Sequence, residues 1–209
     1  MWRDTLRRRL AEHGLDRMWP VPVRALPTEV PARVRQHGFA RPDPLALLVG
    51  NTRALWPHFV AARAAPGWVD SPDPLDRYVD AALASALRDL PVRHHLHLAH
   101  VAAPDFVPLT AVARAAGLKV GACHLAIDPE AGPWIALRAL VVVDAEAGPW
   151  VAMAPAACSC ATGCGPTFER ARAEAGWEPA RWIAVRDACP LGRDHRYGPD
   201  QLAFHYRSP

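Results

Sequence analysis

The sequence predicts an α+β domain, because apolar runs of strand length alternate with segments of helical periodicity. Residues 45–50 form a short apolar run that ends in glycine, which is typical of a buried strand. Between residues 75 and 90, apolar side chains recur at helical spacing. A hairpin is predicted next, with strands at 120–127 and 134–144 joined by a turn at 128–133 that is rich in Asp, Pro and Gly.

The remaining elements follow from local start and stop signals. The long periodic helix begins after Asp73, a plausible N-cap, with Pro74 at its first position, and it ends at Pro91. Asn51 or Thr52 can cap the preceding helix, which is predicted at 53–65. Between residues 14 and 44, many prolines predict extended or looped chain. Further helices are predicted at 2–13, 53–65, 108–116, 167–175 and 199–206, and a strand at 92–101.

Composition limits the class of protein. The chain has 209 residues, 51% hydrophobic and 22% charged, which excludes intrinsic disorder and fits one domain or one domain with a small extension. Apolar runs fall well short of the ~20 residues that cross a bilayer, and the N-terminus has no apolar segment after its charges. A net charge of +3 does not indicate nucleic-acid binding. We therefore expect a cytoplasmic protein without membrane or nucleic-acid partners.

Five cysteines are present, and four of them follow residue 157. Three thiols on a glycine-containing loop could converge on a soft metal or an iron–sulfur cluster, with a fourth ligand from further along the chain. The spacing differs from the usual C-x2-C-x2-C run, so loop thiols or a redox pair remain alternatives. We expect a core at 1–154 and an extension at 155–209, packed on the same domain, that carries these cysteines. The candidate ligands are Cys158, Cys160, Cys164 and Cys189.

A second candidate cluster consists of histidines on a predicted strand. Alternation places His95 and His97 on one face, and His94 and His100 on the other. Two histidines on one face can ligate a metal, but no acid or cysteine stands near enough in sequence to complete a set. We interpret them as polar residues of a half-exposed strand.

Arg138 interrupts the apolar run 135–143. A guanidinium group in a core strand needs an anionic partner or a route to solvent, so either a ligand's carboxylate or phosphate or one of the chain's own acids could serve. Trp134 and Trp150 each follow a Gly-Pro pair in a repeat of period 16, which predicts a second hairpin turn. Either tryptophan could wall a planar ligand or pack in the core. The sequence contains no phosphate-binding loop, nucleophile elbow or H-E-x-x-H motif.

Several of these motifs resemble a known family. Pro104 and Pro108 beside a short helix, then the stretches 124–129 (His-Leu-Ala-Ile-Asp-Pro) and 132–138 (Gly-Pro-Trp-Ile-Ala-Leu-Arg), resemble the CblC cobalamin-processing proteins, which are cyanocobalamin decyanases and dealkylases. The resemblance extends from about residue 40 to the end of the sequence. Its other parts are 45–49, 73–76, 186–188 and 196–197.

This resemblance implies a modified flavin-nitroreductase fold, in which helices flank a central antiparallel sheet. It implies a cobalamin pocket above the sheet and reductive removal of the upper axial ligand by reduced FMN or by a thiol such as glutathione. Arg138 and Arg186 would hold the carboxylates of the thiol, and Trp134 and His124 are further cofactor-binding candidates. The partners would be a corrinoid and a thiol or flavin reductant, and a homodimer is an open alternative.

The C-terminal segments 186–192, 195–197 and 201–205 are similar to bacterial relatives with ferredoxin-like cysteines, which are in turn similar to epoxyqueuosine reductases. Here the cysteine set is smaller, so at most one cluster could form. The alternative function is therefore an iron–sulfur or other redox-metal protein of the same fold without cobalamin chemistry. A third hypothesis is a binding module whose cysteines hold zinc or copper for stability.

Overall fold

The computed structural model describes residues 2–35, 38–148 and 163–207, and it confirms the α+β class. Its described strands form a four-stranded, fully antiparallel sheet with the order β1-β2-β6-β3, and a separate two-stranded sheet, β4-β5. The strands are β1 (Arg17–Pro22), β2 (Pro44–Asn51), β3 (His94–Leu98), β4 (Lys119–Val120), β5 (Ala126–Ile127) and β6 (Ala136–Glu146). The helices are α1 (Trp2–Ala11), α2 (Ala32–Arg35), α3 (Leu55–Ala64), α4 (Pro74–Leu87), α5 (Leu109–Ala115), α6 (Cys164–Ala173), α7 (Pro179–Asp187) and α8 (Pro199–His205).

Strands β2 and β6 form the centre of the sheet, and both of its faces are covered. Leu47 and Val141, which are paired across the two strands, pack on the first face against helices α1, α3 and α4. Leu48 and Leu140 pack on the second face against α5 and the chain before α2. Because both faces are buried, the central stretches 45–50 of β2 and 139–143 of β6 are apolar throughout, and this explains why 45–50 contains no polar alternation.

The two edge strands, β1 and β3, match the sequence-based prediction less closely than the central strands do. Strand β1 contains Pro20 and Pro22, and prolines predicted only extended or looped chain there. Proline is tolerated at a sheet edge because its missing N–H need not pair with a neighbouring strand. Strand β3 forms the opposite edge and covers five residues of the predicted 92–101.

The predicted hairpin is wrong. The segment 120–127 folds back on itself, since Gly121 N donates to Leu125 O and His124 N donates to Gly121 O, and β4 pairs with β5. Strand β6 instead pairs with β2 and β3. The expected turn at 128–132 does form, with the Asp128 carboxylate accepting from the N–H groups of Glu130 and Ala131, but it connects two different sheets. The local turn chemistry was interpreted correctly, whereas the strand partner depends on long-range packing.

The C-terminal part contains one helix that the sequence did not predict. Helices α6 and α8 lie close to the predicted 167–175 and 199–206, but α7 was missed. In α7 only Val185 is buried, so the segment has no apolar stripe from which a helix could be predicted. The second copy of the period-16 repeat, with Trp150, lies mostly outside the described residues. None of the described helices has both the length and the apolar character needed to span a bilayer.

Two glycines join the C-terminal part to the turn before β6. Gly132 and Gly192 both have positive φ values, 58° and 71°, and their backbones touch. A Cβ atom on Gly192 would collide with the Ala131 carbonyl, and one on Gly132 would collide with the Leu191 carbonyl. Both positions therefore require glycine for conformation and for space.

We expect Gly192→Ala to lower the free energy of unfolding by about 2–4 kcal/mol, because it combines a left-handed backbone with a backbone clash. Gly176→Ala is the matched control, since Gly176 has a φ of 79° but open space around it, and we expect a loss of about 1 kcal/mol. Urea unfolding of both variants measures the difference. Equal losses would show that the two backbones do not meet as described.

Candidate functional site

The site is built around an irregularity in β6. Val49 pairs with Ala139 and Gly50 pairs with Leu137, so Arg138 is the extra residue of a β-bulge. Ala139 packs on the first face of the sheet, and Arg138 reaches Asp76 of α4 on that same side. Strict alternation would send these two neighbours to opposite faces. The bulge therefore turns the guanidinium group away from the second face and towards the start of α4.

Arg138 is bound by the chain's own residues. Its Nε donates to Asn51 Oδ1 at 2.8 Å, and one terminal nitrogen lies 3.8 Å from the Asp76 carboxylate. Burial lowers the pKa of the Arg138 guanidinium, while Tyr197 and Asp76 favour its charged form. The sequence left open whether a ligand's anion or an acid of the chain would pair with Arg138. The structure shows that an acid of the chain, Asp76, lies beside it. Asp76 also lies 4.0 Å from His100, so Arg138 does not hold it alone.

A chain of hydrogen bonds holds Asn51 in position. Asn51 Nδ2 donates to the Thr52 carbonyl at 2.7 Å, which fixes the orientation of its amide. Thr52 donates to the Asp16 carboxylate through its N–H (2.7 Å) and its hydroxyl (2.8 Å). The Thr52 hydroxyl also accepts from Ala54 N at 3.2 Å, just before α3, whose N-cap is Ala54 rather than the predicted Asn51 or Thr52. Rigid, buried supports of this kind position a charged side chain with little loss of entropy.

Arg186 comes from α7, which the sequence did not predict as a helix. Its guanidinium lies 5.7 Å from the centre of the Trp134 ring and 5.8 Å from that of Tyr197. It donates to the carbonyls of Pro133 and, at 3.4 Å, Ile135. The sequence left two roles open for Trp134, as the wall of a planar ligand or as a core residue, and its side chain is buried, only 1% exposed, beneath Arg186. Its contribution here is to support Arg186 through cation–π contact.

A polar cavity of about 200 Å³ lies at the N-terminus of α4. Arg138 lines it together with His205 and Arg207 from the end of the chain. The backbone N–H groups at a helix start favour anions, as do the two guanidinium groups. Sequence reasoning missed His205 and Arg207, although the stretch 201–205 belonged to the second resemblance. The cavity is lined by Asp73, Pro74, Leu75, Asp76, Arg138, Phe204, His205 and Arg207.

His205 is the most perturbed histidine of the described chain. Burial first, and then the positive charges of Arg138, Arg186 and Arg207, lower its pKa to about 4. Its Nε2 is buried and has no hydrogen-bond partner among the described residues. The side chain is therefore a neutral imidazole at pH 7, and one of its polar atoms is unsatisfied.

An apolar cavity of about 310 Å³ lies on the other face of the sheet, beside α5. Leu137 lines it, whereas the next residue, Arg138, lines the polar cavity, and Arg186 reaches the apolar cavity's rim from α7. Phe106 stands at its mouth with 51% of its surface exposed. The lining residues are Ala99, Phe106, Val107, Pro108, Leu109, Thr110, His124, Leu125, Ala126, Ile135, Ala136, Leu137 and Arg186.

His124, whose role in cofactor binding stays a prediction, lines this apolar cavity. It is held at a φ of 60° in the tight turn between β4 and β5. Its ring meets the edge of Phe168 of α6 at a centroid distance of 5.4 Å. The structure thus brings His124 and Arg186 together at one cavity, and Arg186 and Arg138 close enough to repel each other.

The predicted metal ligands are only partly described. Cys164 and Cys189 are buried, as is Cys123, a thiol that the sequence did not single out, while Cys158 and Cys160 lie outside the described residues. Cys123 is hydrogen-bonded to Cys164, and its pKa is raised to about 11, mainly by burial. Burial likewise raises the pKa of Cys189. Within 2–35, 38–148 and 163–207, no three His, Cys, Asp or Glu side chains are arranged to hold a metal ion, so the metal site stays a prediction.

The histidines around β3 have separate surroundings. His95 stacks on Phe39 with ring centres 4.9 Å apart. Nε2 of His100 lies 3.4 Å from Asp80, and burial lowers the pKa of His97. His94 contacts the carbonyl of Val92 through Nδ1 at 3.1 Å. They are the polar side chains of a half-buried edge strand.

We expect Cys123 to react with iodoacetamide roughly 100-fold more slowly than an ordinary thiol at pH 7.5, because a pKa near 11 leaves so little thiolate. The rate should rise about tenfold per pH unit up to that value. Peptide mass spectrometry after timed labelling measures it, with free glutathione in the same tube as the internal standard. Labelling as fast as that of glutathione would show that Cys123 is not buried and protonated.

Comparisons with known proteins concern the fold. No family model matches the chain, and no curated protein sequence does either. Among solved structures, the chain is similar to the B12-trafficking protein CblC of C. elegans, a human MMACHC homologue, with a TM-score of 0.70 and 12% identity. The alignment covers 99% of this chain and 91% of that one. At this identity the likeness shows the fold: the chain has the α+β fold of that CblC protein, with helices flanking a central antiparallel sheet, as the sequence resemblance implied.

Proposed function

We propose that the protein binds a corrinoid at the apolar cavity and removes its upper axial ligand reductively, with an anionic thiol as co-substrate. The observation that carries this proposal is the fold likeness to a B12-trafficking protein over 99% of the chain. The position of the two cavities supports it, because each contains side chains that the sequence assigned to cofactor or co-substrate binding.

The apolar cavity suits one face of a large, flat ligand. Its walls are mainly aliphatic, with His124 and Arg186 as the polar exceptions, which is the usual balance of a small-molecule site. A corrinoid is much larger than 310 Å³, so the cavity would take only part of the ring. The exposed Phe106 at its mouth offers further apolar surface to the remainder. Burial of one face would exclude water from the metal centre of the substrate.

The polar cavity suits the anionic end of a thiol such as glutathione. Arg138 is immobilised by Asn51, and Arg207 is exposed, so one cation is fixed and the other can adapt to the ligand. The N-terminus of α4 adds backbone donors. Asp73 and Asp76 line the same cavity and would repel an anion, which favours a ligand that carries an ammonium group beside its carboxylate. Glutathione carries both.

In the proposed reaction, the chain orients the two substrates and supplies no covalent group of its own. For an alkyl upper ligand, the thiolate sulfur would form a bond to the alkyl carbon as the cobalt–carbon bond breaks, and the electron pair of that bond would stay on cobalt, with a thioether released. A cyano ligand would leave as cyanide with its own electron pair, and the electrons that reduce cobalt would come from oxidation of two thiols to a disulfide. The guanidinium groups would hold the carboxylates of the thiol and so fix its sulfur relative to the ring. FMN as an alternative reductant, a homodimer and a cytoplasmic location belong to the proposal as open expectations.

We expect the visible spectrum of cyanocobalamin to shift when the protein is added under anaerobic conditions, and Thr110→Trp to weaken this binding about tenfold. Thr110 lies on the exposed side of α5 at the cavity wall, so a tryptophan there fills the cavity without entering the core. Thr28→Trp, at an exposed position away from the cavity, is the control. Absence of any corrin shift, with iron and acid-labile sulfide bound instead, would contradict the proposal and favour the iron–sulfur alternative.

We expect Arg207→Gln to raise the KM for glutathione about tenfold or more in ligand removal, since a charge-assisted hydrogen bond is lost. The KM for 2-mercaptoethanol, a neutral thiol, should stay nearly unchanged. Arg172→Gln removes a surface guanidinium that pairs with Glu169, and it controls for net charge. An equal increase in the KM values for both thiols would show that Arg207 does not bind the carboxylate of glutathione.

A further inference from the structure

We propose that the polar cavity binds an oxyanion together with one proton, and that His205 holds this proton. The inference rests on the proposed anion site, and it adds a residue and a coupling that the fold likeness does not supply. It assigns His205 as an anion-binding residue whose imidazole takes up a second proton, and so becomes a cation, when the anion is present.

The geometry places His205 between aromatic rings and cations. Its ring packs against Tyr197 at 5.4 Å, Phe204 at 5.6 Å and Trp56 at 6.4 Å between centroids. These contacts fix the ring of His205, which lines the polar cavity, and its Nε2 is buried without a hydrogen-bond partner in the described part of the chain. An unsatisfied buried nitrogen at a cavity wall is a feature that a ligand can complete.

The charged and titratable groups around this ring come from every neighbouring element. Arg138 of β6, Arg186 of α7 and Arg207, which follows α8, are the cations that disfavour its protonation, in addition to burial. Asp73 and Asp76 at the start of α4 line the same cavity, and Tyr197 and Tyr206 lie nearby. Burial holds the Tyr197 hydroxyl in its neutral form by raising its pKa. In the free protein, then, cations outweigh acids around His205, and the imidazole stays neutral.

An oxyanion in the cavity reverses this balance. It offsets the repulsion from the guanidinium groups and offers an acceptor to the imidazolium N–H. The pKa of His205 must then rise, so that binding takes up a proton at every pH between the free value, about 4, and the bound value. Because the ligand-bound form binds more protons, affinity rises as pH falls through this window. A neutral ligand would show no such coupling.

The experiment uses inorganic sulfate as the probe, because sulfate does not titrate between pH 4 and 8. Histidine ring resonances of the full-length protein are followed by NMR across this range, with and without saturating sulfate, and His205→Gln identifies the resonance. We expect a pKa near 4 without sulfate and an increase of about one unit or more with it. Calorimetry at pH 5 in two buffers of different ionisation enthalpy should show proton uptake that His205→Gln abolishes.

A second variant tests the electrostatic cause without changing the imidazole. Arg207→Gln removes one of the three cations, so it should raise the sulfate-free pKa of His205. Lys119→Gln removes a positive charge at β4, outside the polar cavity, and should leave that pKa unchanged.

Sulfate that binds equally well at pH 5 and pH 7, with the His205 resonance unmoved, would overturn the inference. Sulfate that fails to bind at all would overturn it together with the anion site. Neither result bears on the corrin spectrum. If sulfate fails but cyanocobalamin still shifts its spectrum, corrinoid binding is retained and only the anion site is wrong. If the spectral shift is absent but sulfate binding still takes up a proton, corrinoid binding alone is wrong.

Discussion

The arrangement of the site depends on one hydrogen bond, from Arg138 Nε to Asn51 Oδ1, made at a bulge in the central strand pair. Without the bulge, the guanidinium group would point into the apolar second face of the sheet, where nothing could stabilise its charge. Gly50 makes the bulge possible, since a Cβ atom there would lie 2.6 Å from the Ala136 carbonyl. Asp16 and Thr52 hold the amide from behind, so a buried cation, its acceptor and the sheet register support one another.

The bulge also explains how one strand contributes to two different cavities. Leu137 lines the apolar cavity and Arg138 lines the polar one, on opposite faces of the sheet. Arg186 reaches the rim of the apolar cavity and still influences the charge of His205 and Arg138. In the proposed function, the flat apolar substrate and the anionic co-substrate would bind beside neighbouring residues of β6 on opposite faces of the sheet.

Sequence reasoning predicted what depends on local patterns. The buried strand at 45–50 and helix α4 followed from apolar runs and periodicity, and the unusual position of Arg138 followed from its interruption of a core strand. The partner of β6 and the existence of α7 could not be predicted, because they depend on packing between distant segments and α7 buries only Val185. The resemblance named His124 and Arg186, but their convergence at one cavity needed the fold. His205 was not recognised because its lowered pKa arises first from burial and then from the arginines at positions 138, 186 and 207, all of which depend on the fold.

The thiols limit what the cysteine-rich segment can do in the described part of the chain. Cys123, Cys164 and Cys189 lie in or beside an apolar cluster with Phe168 and Val185, and burial favours the neutral form of Cys123 and Cys189. Metal ligands and nucleophiles are thiolates, and these usually form where positive charge or solvent stabilises them. Three arginines, at positions 138, 186 and 207, instead contribute positive charge around His205 at the polar cavity. Electrostatics thus favours binding of an anion at the start of α4 and a packing role for the buried, protonated thiols. This supports the corrinoid proposal over the iron–sulfur alternative.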